Sequence, residues 1–234
     1  MSNDHYDESF RNSTSAAFFD VDGTVSSTDV VRTYLDFWLG KNPIHIKFFR
    51  FIKFLPKIPY YAILDALSRA WFGRVFYKNY SGVKESSLRS WAQAALYEYW
   101  QPRLFPQAIE RIQQHQAKGH LVVLVSGGLK LTLAPLARFL GVDILIAVEA
   151  GIQDGFLTGD LVDGPMSGER KAESVQKLSV DLNVDLEKSY AYSDSYSDVA
   201  FLESIRYPVT VNPDRKLAKL AYSREWAIEH WNLD

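Results

Sequence analysis

The sequence predicts an open α/β fold: a mainly parallel sheet, covered on both faces, with a helical module inserted after the first strand. Three observations predict it. Short continuous apolar runs recur along the chain, as strands buried on both faces require. Amphipathic helical patterns alternate with them, as parallel crossovers require. About 100 residues separate the first run from the second, far more than one crossover uses.

Taken in order, residues 1–15 (MSNDHYDESFRNSTS) are polar and read as a mobile tail. They contain no apolar stretch suited to a signal peptide. Ala16–Phe19 is the first strand. Residues 29–105 are helical in pattern and rich in Trp, Tyr and Phe. Their clearest helix is SSLRSWAQAALYEYW, stopped by Pro102. PQAIERIQQHQAKG opens with Pro106 in a first-turn position and ends at Gly119. HLVVLVSGG, from His120, is the second strand. LKLTLAPLARFLG is a helix that Pro135 interrupts, with a kink expected there. DILIAVEA, from Asp143, is the third strand. GIQDGFLTGDL, with Asp154-Gly155 between two short β-like runs, reads as a hairpin. GERKAESVQKLSVDLN is an amphipathic helix, SYAYSD a fourth strand, YPVTVN a fifth, and DRKLAKLAYSREW a closing helix. The expected organisation is a tail (1–15), a core (16–28 and 106–234) and a helical module (29–105).

Composition removes several classes of function. The 234 residues carry a net charge of -2, unlike a generic nucleic-acid binder. With 47% hydrophobic residues, a substantial core is expected. Cysteine is absent, which excludes disulfides, thiolate nucleophiles and cysteine-based zinc sites and suits a reducing, cytoplasmic setting. No apolar run is long enough for a transmembrane helix. The five histidines show no metal-ligand spacing, and no P-loop pattern is present.

In parallel α/β sheets, ligands gather beyond the carboxyl ends of the strands. The first strand runs into Asp20 and Asp22, then Gly23 and Thr24. The second runs into Ser126, Gly127 and Gly128, and the fourth into Asp194 and Asp198. Lys171 opens a helix between them. Four converging carboxylates repel unless protons or a cation join them. Oxygen ligands without cysteine or a histidine cluster point to Mg²⁺. A serine hydroxyl, glycine N–H groups and a lysine suit the oxygens of a phosphoryl group.

Taken singly, each element has an ordinary reading. Asp-Gly is a common turn pair. Ser-Gly-Gly is a common loop. Lys171 would sit on a solvated helix face, and Ser193 to Asp198 would cap a helix. An EF-hand loop is excluded, because Gly23 comes too early and Val31 stands where the closing glutamate belongs.

Together, in this order, DVDGT, VSGG, GERK and SDSYSD resemble the four motifs of the haloacid dehalogenase (HAD) superfamily in its phosphatase form. The insert between the first two resembles the type 1 cap of the phosphoserine phosphatase-like branch. The resemblance implies a Rossmann-like HAD core and a Mg²⁺-dependent phosphatase acting on a small phosphorylated substrate. It implies that Asp20 attacks phosphorus and that Asp22 serves as acid, then base. Asp20, Asp194 and the backbone carbonyl of Asp22 would hold the metal. Ser126, Gly127 and Lys171 would bind the phosphoryl group, and Asp198 would hold Lys171 or a metal-bound water. Gly23 would permit the turn and Thr24 would position Asp22. The fourth motif departs from the glycine-rich form usual in the phosphoserine branch, keeping the acid spacing alone.

Asp29 lies nine residues after Asp20, where that branch places a substrate-binding acid, but it also suits a helix N-cap. Arg69 and Arg74 are candidates for a carboxylate or second phosphate. Residues 37–78 hold eight Lys or Arg, one acid (Asp65) and 12 aromatics. Four readings fit: a small core with solvated lysines, a lid over an anionic substrate, contact with anionic membrane, or a homodimer face. The competing functions are a lipid-phosphate phosphatase and a non-enzymatic binding module.

Overall fold

The computed structural model describes residues 15–40 and 43–234. The expected tail therefore lies, except for Ser15, outside the described residues. The sheet is built from β1 (Ala16–Phe19), β2 (Leu121–Leu129), β3 (Ile144–Val148), β6 (Tyr190–Ser193), β7 (Tyr207–Val211) and β8 (Ala227–Glu229). Its order is β3-β2-β1-β6-β7-β8, and every pairing is parallel. The order reverses at β1, which lies between β2 and β6. A crevice at the carboxyl ends of these strands is the natural ligand position.

Both faces of β1 are buried, which explains its unbroken apolar run. Ala17 and Phe19 join Val122, Leu124, Ile112 of α6 (Pro106–Ala117) and Leu136 of α7 (Lys130–Phe139). Ala16 and Phe18 join Val123, Val175 of α8 (Gly168–Leu182), Phe201 of α9 (Val199–Glu203) and Leu217 of α10 (Arg215–Ser223). Helix α7 runs through Pro135 as one helix. The short β8 was not expected. Its three residues give too little pattern to read, and it exists because β7 offers an edge to pair with.

Between β1 and β2 lie α1 (Val30–Leu39), α2 (Ile44–Phe54), α3 (Lys57–Leu67), α4 (Arg69–Phe76) and α5 (Glu85–Ala95). Tyr34, Phe54, Tyr61, Phe72, Phe76 and Tyr80 form an aromatic core of their own, closed by Leu129, Val148 and Leu157. The helix expected to reach Trp100 ends as α5 at Ala95. A widened π turn follows over Leu96–Trp100 and buries both Tyr99 and Trp100. The hairpin expected after β3 is present as β4 (Ala150–Gln153) and β5 (Phe156–Leu161), paired antiparallel. Asp154 and Gly155 both have positive φ (51° and 79°), as a tight two-residue turn requires. The hairpin is bonded to the insert through Gly82 N–H to Leu157 O and Leu157 N–H to Val83 O, each 2.8 Å.

The buried His115 is structural. Its Nε2 lies 2.8 Å from the Tyr192 hydroxyl and its Nδ1 2.9 Å from His120. Arg111 reaches the same hydroxyl and pairs with Glu229, tying α6 to β6 and β8.

Candidate active site

Asp20 stands one residue beyond β1, and its N–H donates to the Tyr192 carbonyl at 2.9 Å, extending the β1–β6 ladder. The chain then turns sharply. Gly23 has φ +82°, and its N–H bonds the Ser26 carbonyl at 2.8 Å. A Cβ at Gly23 would lie 2.2 Å from Asp194 Oδ2, so glycine is required both for the turn and for the approach of Asp194.

Lys171 lies in the first turn of α8 and is buried. Its ammonium donates to Asp20 Oδ1 at 2.6 Å and to Asp198 Oδ2 at 2.7 Å. The Ser193 hydroxyl donates to the same Asp198 oxygen at 2.7 Å. Of the two roles expected for Asp198, the structure therefore displays the first, holding Lys171. Burial opposes charge on Lys171, but Asp198 and Asp20 overcome it and its pKa is raised.

Two residues that the sequence did not mark position this triad. Gly168 lets the N-terminus of α8 touch the turn of Ser197 and Asp198 beyond β6. A Cβ there would fall 1.9 Å from the Ser197 carbonyl oxygen. Asp214 caps α10 and accepts the Tyr196 N–H at 2.6 Å, while its own N–H bonds the Asp194 carbonyl at 2.8 Å. The signal for Asp214 was present, an acid straight after Pro213 at a helix start. Gly168 left none, since its contact is with residues about thirty positions away.

An open cavity of about 350 Å³ is lined by Asp20, Asp22, Gly23, Asp29, Gly127, Lys171, Asp194 and Asp198. Ser126 is not on its wall: the side chain is buried and its Oγ accepts the Gly128 N–H at 2.9 Å. Gly127 is on the wall, with its carbonyl held by the Tyr77 hydroxyl at 2.5 Å. The Thr24 hydroxyl faces Asp194 Oδ1 at 3.4 Å, not Asp22 as expected, because the Gly23 turn carries it toward β6. Asp29 caps α1, accepting the N–H groups of Val31 and Arg32 at 2.9 Å each, while still lining the cavity. Arg69 lines the wall and pairs with Asp65 at 3.0 Å; Arg74 does not line it. Arg32, not expected from the sequence, also reaches the wall and pairs with Asp29 at 3.2 Å.

The acids strain against each other. Burial, aided by Asp20 and Asp29, raises Asp22 well above the carboxylate range. Burial, with Asp20 and Asp198, pushes Asp194 up to about 7. Burial also raises Asp20, although Lys171 opposes it. Asp22 Oδ1 is buried with no hydrogen-bond partner. Among the described residues no three Asp, Glu or His side chains form a metal cage by themselves. Asp20, Asp22 and Asp194 share the cavity wall instead. An all-oxygen, charge-deficient pocket of this kind fits a hard divalent cation completed by water.

Residues 17–203 match the profile of the haloacid dehalogenase-like hydrolases. A Streptomyces azureus protein named for inhibition of morphological differentiation is 34% identical over 168 residues, 71% of this chain and 56% of its own. A phosphoserine phosphatase of Mycobacterium tuberculosis H37Rv is 34% identical over 124 residues, 53% of this chain and 40% of its own. This chain thus spans about half the length of the curated relatives it matches first. A crystal structure of a Bordetella pertussis Tohama I protein of unknown function superposes with TM-score 0.78 and 26% identity, covering 95% of this chain and all of that one (100%). With acids beyond adjacent strands of a parallel sheet, a lysine bridging two of them, and a profile match over most of its length, the chain belongs to the haloacid dehalogenase-like hydrolase family.

Proposed function

We propose that the protein hydrolyses phosphate monoesters of small metabolites through an aspartyl-phosphate, with Mg²⁺ as cofactor. The observation that carries this reading is the pairing of Asp20, clamped at Oδ1 by Lys171, with the strongly raised Asp22 on the same cavity wall. The lysine favours the ionised form of Asp20, which a nucleophile needs. The environment of Asp22 favours the protonated form, which a general acid needs.

In the first step an Asp20 oxygen bonds to phosphorus, and the phosphorus–ester oxygen bond breaks. The proton of the Asp22 carboxyl passes to the leaving oxygen. In the second, Asp22 as carboxylate takes a proton from water, and the water oxygen attacks phosphorus. The Asp20–phosphorus bond breaks, and inorganic phosphate and free Asp20 result. Lys171 and the Gly127 backbone face the phosphoryl oxygens, and Asp198 and Ser193 hold Lys171 in place. The carboxylates of Asp20 and Asp194 and the carbonyl of Asp22 would hold Mg²⁺, which supplies positive charge beside the phosphoryl group when bound. The helical insert, residues 29–105, serves as the cap over a core of residues 16–28 and 106–234, and Arg32 and Arg69 bring cations to the substrate side. The intact acids and bridging lysine speak against a non-enzymatic role.

The test is hydrolysis of a panel of phosphorylated metabolites with Mg²⁺ and with EDTA, using Asp20→Asn as control. Turnover is expected in Mg²⁺ alone and to vanish in the variant while its circular dichroism stays unchanged. Near wild-type hydrolysis by Asp20→Asn would rule out the covalent route.

A further inference from the structure

Helix α2 turns its apolar stripe away from the protein. Ile44, Phe48, Ile52 and Leu55 follow at spacings of four, four and three, which sets them along one side of the helix. Their exposure runs from 47% at Ile52 to 80% at Ile44. Phe54, round the helix from this stripe, is the buried anchor, packed on Tyr34 and Trp38 of α1 and Tyr61 of α3. Helix α3 repeats the arrangement: Tyr61 is buried, whereas Ile63 and Leu67 are 60% and 79% exposed. A surface helix ordinarily buries such a stripe in its own core, so a solvent-facing one marks a contact surface.

The charge around these stripes selects the partner. Lys47, Arg50, Lys53 and Lys57 lie on the two helices, and no Asp or Glu occurs between Asp36 and Asp65. A two-fold dimer through this face would bring the same cations of both copies together, opposed in each copy only by Asp65, which is already paired with Arg69 at 3.0 Å. An anionic lipid surface offers the complement, apolar depth beneath a negative layer. At 11 residues, α2 is about 16 Å long, half of the roughly 30 Å hydrocarbon core. It is suited to lie in the interface, not to cross it, and among the described residues no helix is long and apolar enough to cross.

We propose that α2 and α3 dock the protein on anionic bilayers, with the two apolar stripes at the headgroup–acyl boundary and the basic sequence of α2 beside the lipid phosphates. Arg69, on the wall of the catalytic cavity, lies two residues beyond the exposed Leu67 and two before the exposed Trp71. Docking therefore sets the cavity close to the membrane surface. That consequence for substrate access rests on the phosphatase reading; the docking itself does not.

The test is co-sedimentation of the full chain with phosphatidylcholine vesicles, with and without phosphatidylglycerol, at low and high salt. Binding is expected to the anionic vesicles only and to be released by salt. Neutralising Lys47 and Lys53 together (Lys47→Gln, Lys53→Gln) is expected to weaken partitioning about 25-fold, roughly fivefold per cation. Phe48→Asp with Ile52→Asp is expected to weaken it at least about tenfold, with circular dichroism and hydrolysis of a soluble phosphate ester unchanged. Failure to bind anionic vesicles, equal binding to neutral ones, or undiminished binding by the Asp variant overturns the proposal. So does a dimer, seen by ultracentrifugation without vesicles, that the Asp variant abolishes. Binding without any ester hydrolysis supports docking while removing the phosphatase reading.

Discussion

Replacing Gly168 by alanine probes the packing that delivers Lys171. The added Cβ would lie 1.9 Å from the Ser197 carbonyl oxygen, 2.9 Å from its carbon and 3.0 Å from Asp198 Cα. All three are backbone atoms, so no side chain can swing aside. Merely reaching 3.0 Å from the oxygen requires about 1.1 Å of separation between the start of α8 and the turn bearing Asp198. Lys171, one turn into α8, moves with its helix, and contacts of 2.6 Å and 2.7 Å to Asp20 and Asp198 do not survive that shift intact. Overpacking of this kind costs about 1–3 kcal/mol. Helix propensity acts the other way by at most about 1 kcal/mol, so net destabilisation is expected. Misplacement of a phosphoryl-binding charge by about 1 Å is expected to lower kcat about 100-fold. Urea unfolding and steady-state kinetics on the same preparation measure both. A variant as stable and as fast as wild type would show that the α8 contact does not set the lysine's position.

Lys171→Met leaves Asp20 and Asp198 buried without their cation and is expected to cost about 3–5 kcal/mol by urea unfolding. Adding Asp198→Asn is expected to restore part of that stability but no turnover; a single variant that unfolds like wild type would contradict the buried-triad account. Stability is also expected to depend on pH through His115. Burial, with His120, Lys118 and Arg111, lowers its pKa to about 3, so the folded form keeps the neutral ring. The unfolded chain takes up the proton near pH 6.5, so this contribution is whole above about pH 6.5 and drains as pH falls toward 3. His115→Gln is expected to flatten the pH dependence of the urea midpoint across that window, and an unchanged slope would assign it to other groups.

Much of the fold was legible because its signals are local. The apolar runs at β1, β2, β6 and β7, the Asp154-Gly155 turn and Pro106 at the start of α6 each rest on neighbours in sequence. Elements whose existence depends on a partner were not legible. The three residues of β8 become a strand only beside β7. The widening of the helix into a π turn after Ala95 comes with the burial of Tyr99 and Trp100 together. The same division runs through the site. Asp20, Asp22, Lys171, Asp194 and Asp198 announced themselves by residue type and by position after strands, and the fold brings all five to one cavity. Ser126 was placed at the right strand end, but the bulged end of β2 turns its hydroxyl to Gly128 instead of the cavity.

The order of residues alone determined which chemical groups this protein has to work with and the alternation that stacks its strands, since both follow from side-chain type and short-range periodicity. Only the tertiary structure decided that Lys171 bridges Asp20 to Asp198, that Gly168 and Asp214 hold that arrangement, and that the stripe on α2 points outward. Those are contacts, or missing contacts, between segments far apart in the chain, and their energies depend on distances that exist only after the chain has closed on itself.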